Sequence, residues 1–190
     1  MKVNRYGQAS VMSQREASLI RRQLTNPKHR LIFDVARFTG ERIGAVLQLK
    51  VSDCYSDTGK VLNEITFRKQ TRKRSPGGQR FTRQCPAHDD LIEILAAYDP
   101  PGAGYLFPGE RSYLSRQAFD TALRRAVRRA GLSHKGFSTH SFRRTVITRL
   151  SEVGTDLKTI QGITGHQDLK SLQRYIEADP KRAARAINML

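Results

Sequence analysis

Tryptophan is absent from the 190 residues, and the aromatic share is only 7%. Proteins that grip single-stranded nucleic acid stack bases on aromatic rings, so this scarcity argues against such a platform. Cysteine is scarce as well. Cys54 and Cys85 stand far apart and outside any C-x-x-C pair, which excludes a disulfide scaffold and a cysteine-based zinc site and fits a reducing cytosol. The histidines (His29, His88, His134, His140 and His166) show no zinc spacing. No glycine-rich phosphate loop is present, no apolar run approaches membrane-spanning length, and no signal peptide is visible at Met1. Acidic residues are also in short supply, 17 against 34 Lys and Arg, leaving a formal charge of +17. That excess points to a polyanionic partner, nucleic acid ahead of an acidic membrane surface.

The length suffices to bury a substantial core and reads as one domain over residues 1–190. Residues 1–12 lack periodicity and read as a loosely held tail. Ser13 and Glu16 form a capping box ahead of Ala17, Leu19, Ile20 and Leu24 at helical spacing. Asn26-Pro27 opens a second helix whose stripe is Leu31, Ile32, Val35 and Phe38, and Gly40 stops it. Residues 61–67 have the β-branched content of a strand, with 79–86 as its partner and Pro76-Gly77-Gly78 as a turn signal. Arg68, Lys69, Arg72, Lys73, Arg74, Arg80 and Arg83 fall in this hairpin with no acid among them. Such a run is either a solvated hairpin or a set of DNA phosphate contacts.

Asp89 and Asp90 read as N-cap and first-turn residues of a short helix rather than as paired catalytic acids. Ser115 caps an amphipathic helix that Gly131 ends. Its polar side crowds Arg124, Arg125, Arg128 and Arg129, a face that suits either DNA or bulk solvent. Residues 181–190 form a short amphipathic segment. There is no internal repeat and no low-complexity tract.

The stretch 139–175 carries the densest pattern. His140 and Arg143 are three apart, which puts them on one face of a helix that Thr139 or Ser138 can cap and Gly154 can end. Thr155 or Asp156 can cap the next helical segment, which runs to a turn at Gly165-His166. A further segment from Asp168 brings Tyr175 nine residues after His166. Taken singly, each residue has an ordinary structural reading: a helix-end Gly-His pair, a solvated arginine, a boundary tyrosine. Taken together, H-x-x-R, then G-H, then Tyr, with Thr39, Gly40, Arg42, Ile43, Leu47, Leu49 and Asp53 about a hundred residues upstream, form a specific set. This set resembles the motifs of the tyrosine recombinase (phage integrase) family, and the resemblance covers nearly the whole chain.

The resemblance implies a mixed α+β, mainly helical catalytic domain with a small antiparallel β-hairpin at one edge. It also implies site-specific cleavage and rejoining of double-stranded DNA through a 3′-phosphotyrosine intermediate. Tyr175 would be the nucleophile. Arg42 and Arg143 would clamp the phosphate, with His166 adding a hydrogen bond and His140 accepting the tyrosine proton. The hairpin would supply a lysine that protonates the leaving 5′-oxygen; Lys69 fits best and Lys73 second. No cofactor and no metal enter this chemistry. The implied setting is a homo-oligomer, a tetramer on DNA, in the cytoplasm at the nucleoid, with residues 181–190 docking on a neighbouring protomer. Family members usually begin with a separate helical DNA-gripping domain, for which there is no room before Ser13. The expectation is therefore an excised catalytic domain or a short natural form like the fimbrial inversion recombinases. A non-catalytic DNA-binding module and a type IB topoisomerase-like enzyme are the competing readings.

Overall fold

The computed structural model describes residues 9–71, 81–166, 169–173 and 187–188. Ser13 and Glu16 close the capping box at the head of α1 (Gln14–Arg22), which buries Ala17 and Ile20. The stretch expected to be a tail ends inside the fold. Met12 is buried, its N–H bonds Thr145 Oγ1 at 2.9 Å, and its carbonyl accepts from Arg149. The thioether simply finds apolar cover beside α1, a contact invisible to a search for periodicity.

Asn26 caps α2 (Pro27–Thr39) and Gly40 terminates it in the left-handed region at φ 60°. Every residue from Leu31 to Ala36 on this helix is buried, including Asp34, which Arg21 of α1 meets at 2.7 Å. After Gly40 the chain makes the short α3 (Ile43–Val46) and a 3₁₀ turn over Val51–Asp53. A hairpin follows: β1 (Glu64–Phe67) pairs antiparallel with β2 (Arg83–Pro86), Phe67 opposite Arg83. Both strands are shorter than the sequence pattern indicates; on the first, Val61 bridges to Tyr55 instead of extending the ladder.

Asp89 and Asp90 occupy the first turn of α4 (Asp89–Ala96), as the dipole argument requires, but the cap itself is His88, whose Nδ1 accepts from the Asp90 N–H. Ser115 caps α5 (Arg116–Arg129). Then come α6 (Thr139–Glu152), α7 (Leu157–Thr164), capped by Asp156, and the short α8 (Leu169–Gln173).

The main core forms where α2 lies against α6. Phe33 and Phe142, both fully buried, meet edge to face with centroids 5.0 Å apart. Leu47, Leu49, Ile65, Phe67, Leu91 and Phe119 extend this core under the hairpin, α4 and α5. A second, much smaller cluster joins Ile147 of α6, Ile160 of α7 and Leu172 of α8. Helix α6 thus belongs to both. Cys54 and Cys85 are buried free thiols, and burial pushes the Cys54 pKa well above its ordinary value. Among the described residues no helix is long and apolar enough to cross a membrane.

Candidate active site

Gly40 does two jobs at the end of α2. Its left-handed φ turns the chain, and its missing side chain lets α2 close on α6, since a Cβ there would lie 3.0 Å from Val146 Cβ. The same approach delivers the Gly40 carbonyl to Arg143, one turn before Val146, whose Nη1 donates to it at 3.1 Å. Gly40→Ala therefore meets both a strained φ and a clash. It is expected to lower unfolding stability in urea by about 1–3 kcal/mol, part of which a companion Val146→Ala should restore.

The next residue, Glu41, is 1% exposed and is the hub of the site. Its Oε1 accepts the Arg42 N–H at 2.8 Å and lies 3.7 Å from Arg143 Nη1. Its Oε2 lies 3.2 Å from Arg83 Nε on β2. The Arg83 contact is ionic rather than aligned: among the described residues no Arg83 guanidinium nitrogen has a hydrogen-bond partner. Arg83 also lies over the Phe67 ring at 4.9 Å. A buried carboxylate is costly unless paired, and here two guanidiniums from different elements pair it. Arg42 itself, at the N-cap of α3, is exposed.

Arg143 is 3% exposed. Besides Gly40 and Glu41 it meets His166, with Nε donating to His166 Nε2 at 3.3 Å. Its Nη2 lies 3.2 Å from both ring nitrogens. His166 follows Gly165, whose left-handed φ of 63° ends α7 and turns the histidine inward. The Thr164 hydroxyl sits 2.7 Å from His166 Nδ1.

His140, in the first turn of α6, is exposed and lines a cleft of about 710 Å³ with Arg116, Gln117 and Arg124 of α5. The α5 arginines divide. Arg124 pairs with Asp120 beside this cleft, Arg129 donates to the Gln23 carbonyl, and Arg125 and Arg128 are exposed.

Lys69 opens a 3₁₀ turn directly after β1 and is exposed, its N–H reaching Thr82 Oγ1 at 3.3 Å. The residue before it is anchored: Arg68 Nε lies 2.6 Å from Asp53 Oδ1, and its Nη2 donates to Ser52. Arg68–Asp53 and Arg83–Glu41 therefore clamp the two strands of the hairpin at the loop end of the ladder, just where Lys69 leaves. Tyr175, Arg72, Lys73, Arg74 and residues 181–186 and 189–190 lie outside the described residues.

The structure thus brings Arg143, His166 and the Gly40–Arg42 segment together at one point. Glu41, Arg83 and Thr164 are additions that the sequence reading passed over. For Arg83 the signal was present: it stands two residues before Cys85, on the buried face of β2.

Comparison with known proteins agrees with this architecture. The tyrosine recombinase XerD of Rickettsia conorii is 34% identical over 164 residues, spanning 78% of this chain and 51% of its own length. That of Corynebacterium glutamicum is 31% identical over 158 residues, 82% of this chain and 50% of its own. The chain spans about half the length of these curated relatives. Among solved structures, the XerA recombinase superposes with a TM-score of 0.71 at 20% identity, covering 98% of this chain and 65% of that one. A Tn1549 transposon integrase in complex with a circular intermediate DNA gives 0.73 at 19%, covering 100% and 68%. At such identities the superpositions speak to fold. The Phage integrase family model matches residues 11–182, nearly the whole chain, and the protein belongs to that family.

Proposed function

We propose that this domain cleaves and rejoins double-stranded DNA through a 3′-phosphotyrosine at Tyr175, as a site-specific recombinase. The observation that carries the reading is the held state of Arg143. A buried guanidinium fixed by Gly40, Glu41 and His166 is preorganised, and preorganised donors aimed at developing charge are the largest single source of catalysis in such reactions. A phosphodiester under attack gains charge on its non-bridging oxygens, and two forked donors, Arg143 and Arg42, suit that state.

Tyr175 is mostly protonated near neutrality, since a free phenol has a pKa of about 10. His140, exposed beside the α5 cleft, accepts that proton. His166 bonds a non-bridging oxygen, and Lys69 gives a proton to the departing 5′-oxygen. Side-chain cations do the work of a metal, so cleavage proceeds without one. The bond energy stays in the phosphotyrosine, and rejoining needs no nucleotide. The XerH structure similar to this fold is a complex with its difH substrate, and that of the Tn1549 integrase holds transposon DNA; the +17 charge of this chain suits the same class of partner. Cleavage of two duplexes in concert calls for a tetramer on DNA, with Arg125 and Arg128 of α5 and the hairpin cations Arg72, Lys73 and Arg74 on the backbone.

A nicked duplex that loses its short 5′ fragment after cleavage traps the covalent state. The parent chain should give a protein–DNA adduct that survives a denaturing gel. Tyr175→Phe should give none while retaining affinity for the duplex. An adduct of normal yield from Tyr175→Phe would sink the assignment.

A further inference from the structure

Arg83 stands at the loop end of β2, opposite Phe67 in the ladder. It is 6% exposed; its guanidinium lies 4.9 Å from the centre of the Phe67 ring, and its Nε lies 3.2 Å from Glu41 Oε2. Among the described residues its guanidinium makes no aligned hydrogen bond. A cation taken out of water in this way does little for stability, and apolar side chains of similar volume often serve a fold better. What the position gains from arginine is charge.

That charge bears on Arg143. Glu41 sets a buried carboxylate beside the guanidinium proposed to clamp the phosphate, with Oε1 3.7 Å from Arg143 Nη1. An Arg143–Glu41 pair by itself sums to zero, and a buried pair is screened far less than an exposed one. The carboxylate would then compete with DNA for the same fork. Arg83 turns the pair into a triad with one net positive charge. The two contacts are also unequal: the carboxylate lies nearer Arg83, at 3.2 Å, than Arg143, at 3.7 Å.

The geometry points to Arg83 as a positioning residue for strand cleavage: by drawing the Glu41 carboxylate toward β2, it leaves Arg143 held in place with its positive charge available to a phosphodiester. This rests on the proposed role of Arg143 toward the phosphate. Arg83 acts through Glu41 and not on the reacting atoms. Because it stands on the hairpin that also carries Lys69, a route through Lys69 is the rival that a test must separate.

The first measurement needs no DNA. In urea unfolding followed by circular dichroism, Arg83→Met should lower the midpoint, since it strips a partner from a buried carboxylate. Adding Glu41→Gln should raise the midpoint again. If Glu41→Gln instead shifts it equally in the parent and in Arg83→Met, the two residues are uncoupled and the inference is overturned. Single-turnover cleavage of the nicked duplex, with all variants folded and DNA saturating, reads the second half. Arg83→Met should cleave about 10–10²-fold more slowly than the parent, the scale of loss from a displaced catalytic group. The loss should persist on a strand with sulfur at the bridging 5′ position, whose thiolate departs without a proton donor. Glu41→Gln should slow the parent yet speed Arg83→Met, a reversal of sign that general loosening of the fold does not produce. Rescue of Arg83→Met by sulfur would route the residue through Lys69 and overturn the inference, as would a parent-like rate or a loss that Glu41→Gln does not relieve. Arg83→Lys keeps the charge and should cleave near the parent rate. A loss of about 10²-fold in that folded variant overturns the inference even if Arg83→Met does not fold. If the parent itself gives no covalent adduct, the recombinase reading falls while the unfolding result on Arg83 and Glu41 stands, so the two failures are distinguishable.

Discussion

Replacement of Arg143 by alanine is expected to slow strand cleavage by at least about 10²–10³-fold, the cost of removing one preorganised donor from a developing oxyanion. The same change should weaken the fold. Glu41 is buried and depends on Arg143 and Arg83 together. Taking one partner from a buried ion pair typically costs about 3–5 kcal/mol, and Arg83 remains here, so the loss should fall near the lower figure. Cleavage must then be compared at a temperature where circular dichroism shows both proteins folded.

Arg143→Lys separates the two roles. An ammonium can sit near Glu41, but it lacks the planar fork that reaches Gly40 and His166 at once. It should recover more stability than rate. A folded Arg143→Ala protein that forms adduct within a factor of ten of the parent would remove this arginine from the chemistry.

The second large effect belongs to Lys69. Without a proton donor the 5′-oxygen departs as a poor alkoxide, and general acid catalysis is worth roughly 10²–10⁴-fold. Lys69→Ala should lose about that much on ordinary DNA. On a strand carrying sulfur at the bridging 5′ position it should cleave at nearly the parent rate, because a thiolate leaves without help. Arg42→Ala should stay slow on both strands, its task being to stabilise charge on the non-bridging oxygens. Lys69 leaves the hairpin immediately beyond the Arg68–Asp53 clamp, so its origin is fixed even though its side chain is exposed. Rescue of Lys73→Ala by sulfur, with Lys69→Ala unrescued, would move the acid four residues along the hairpin.

Much of this was legible in advance because it rests on local rules. Capping residues and left-handed glycines mark helix ends in the sequence itself, and Ser13, Asn26, Gly40, Ser115 and Asp156 all act at the ends they signal. Arg143 and His166 were legible through spacing. Glu41 was not. Its importance comes from two arginines, 42 and 102 residues away in the chain, and no local pattern announces a carboxylate that pairs non-local cations. Arg83 was harder to pick out: it belongs to a basic run with no acid in it, and only its two-residue spacing from Cys85 on β2 marks its face as buried. The Met12 contact escaped because a single buried side chain has no period.

The small cluster of Ile147, Ile160 and Leu172 has a thermodynamic consequence. Segments that bury few apolar side chains open at a free energy below that of global unfolding. Helix α7 is attached through that cluster and through the grip of Arg143 on His166, while Arg143 and Glu41 belong to the main core. The proposed phosphate site thus draws on the main core and on the smaller cluster. Any anion that bridges them adds its binding free energy to the weaker one, by RT ln(1 + [L]/Kd). In this sense occupancy of the proposed site and packing of α7 are one equilibrium.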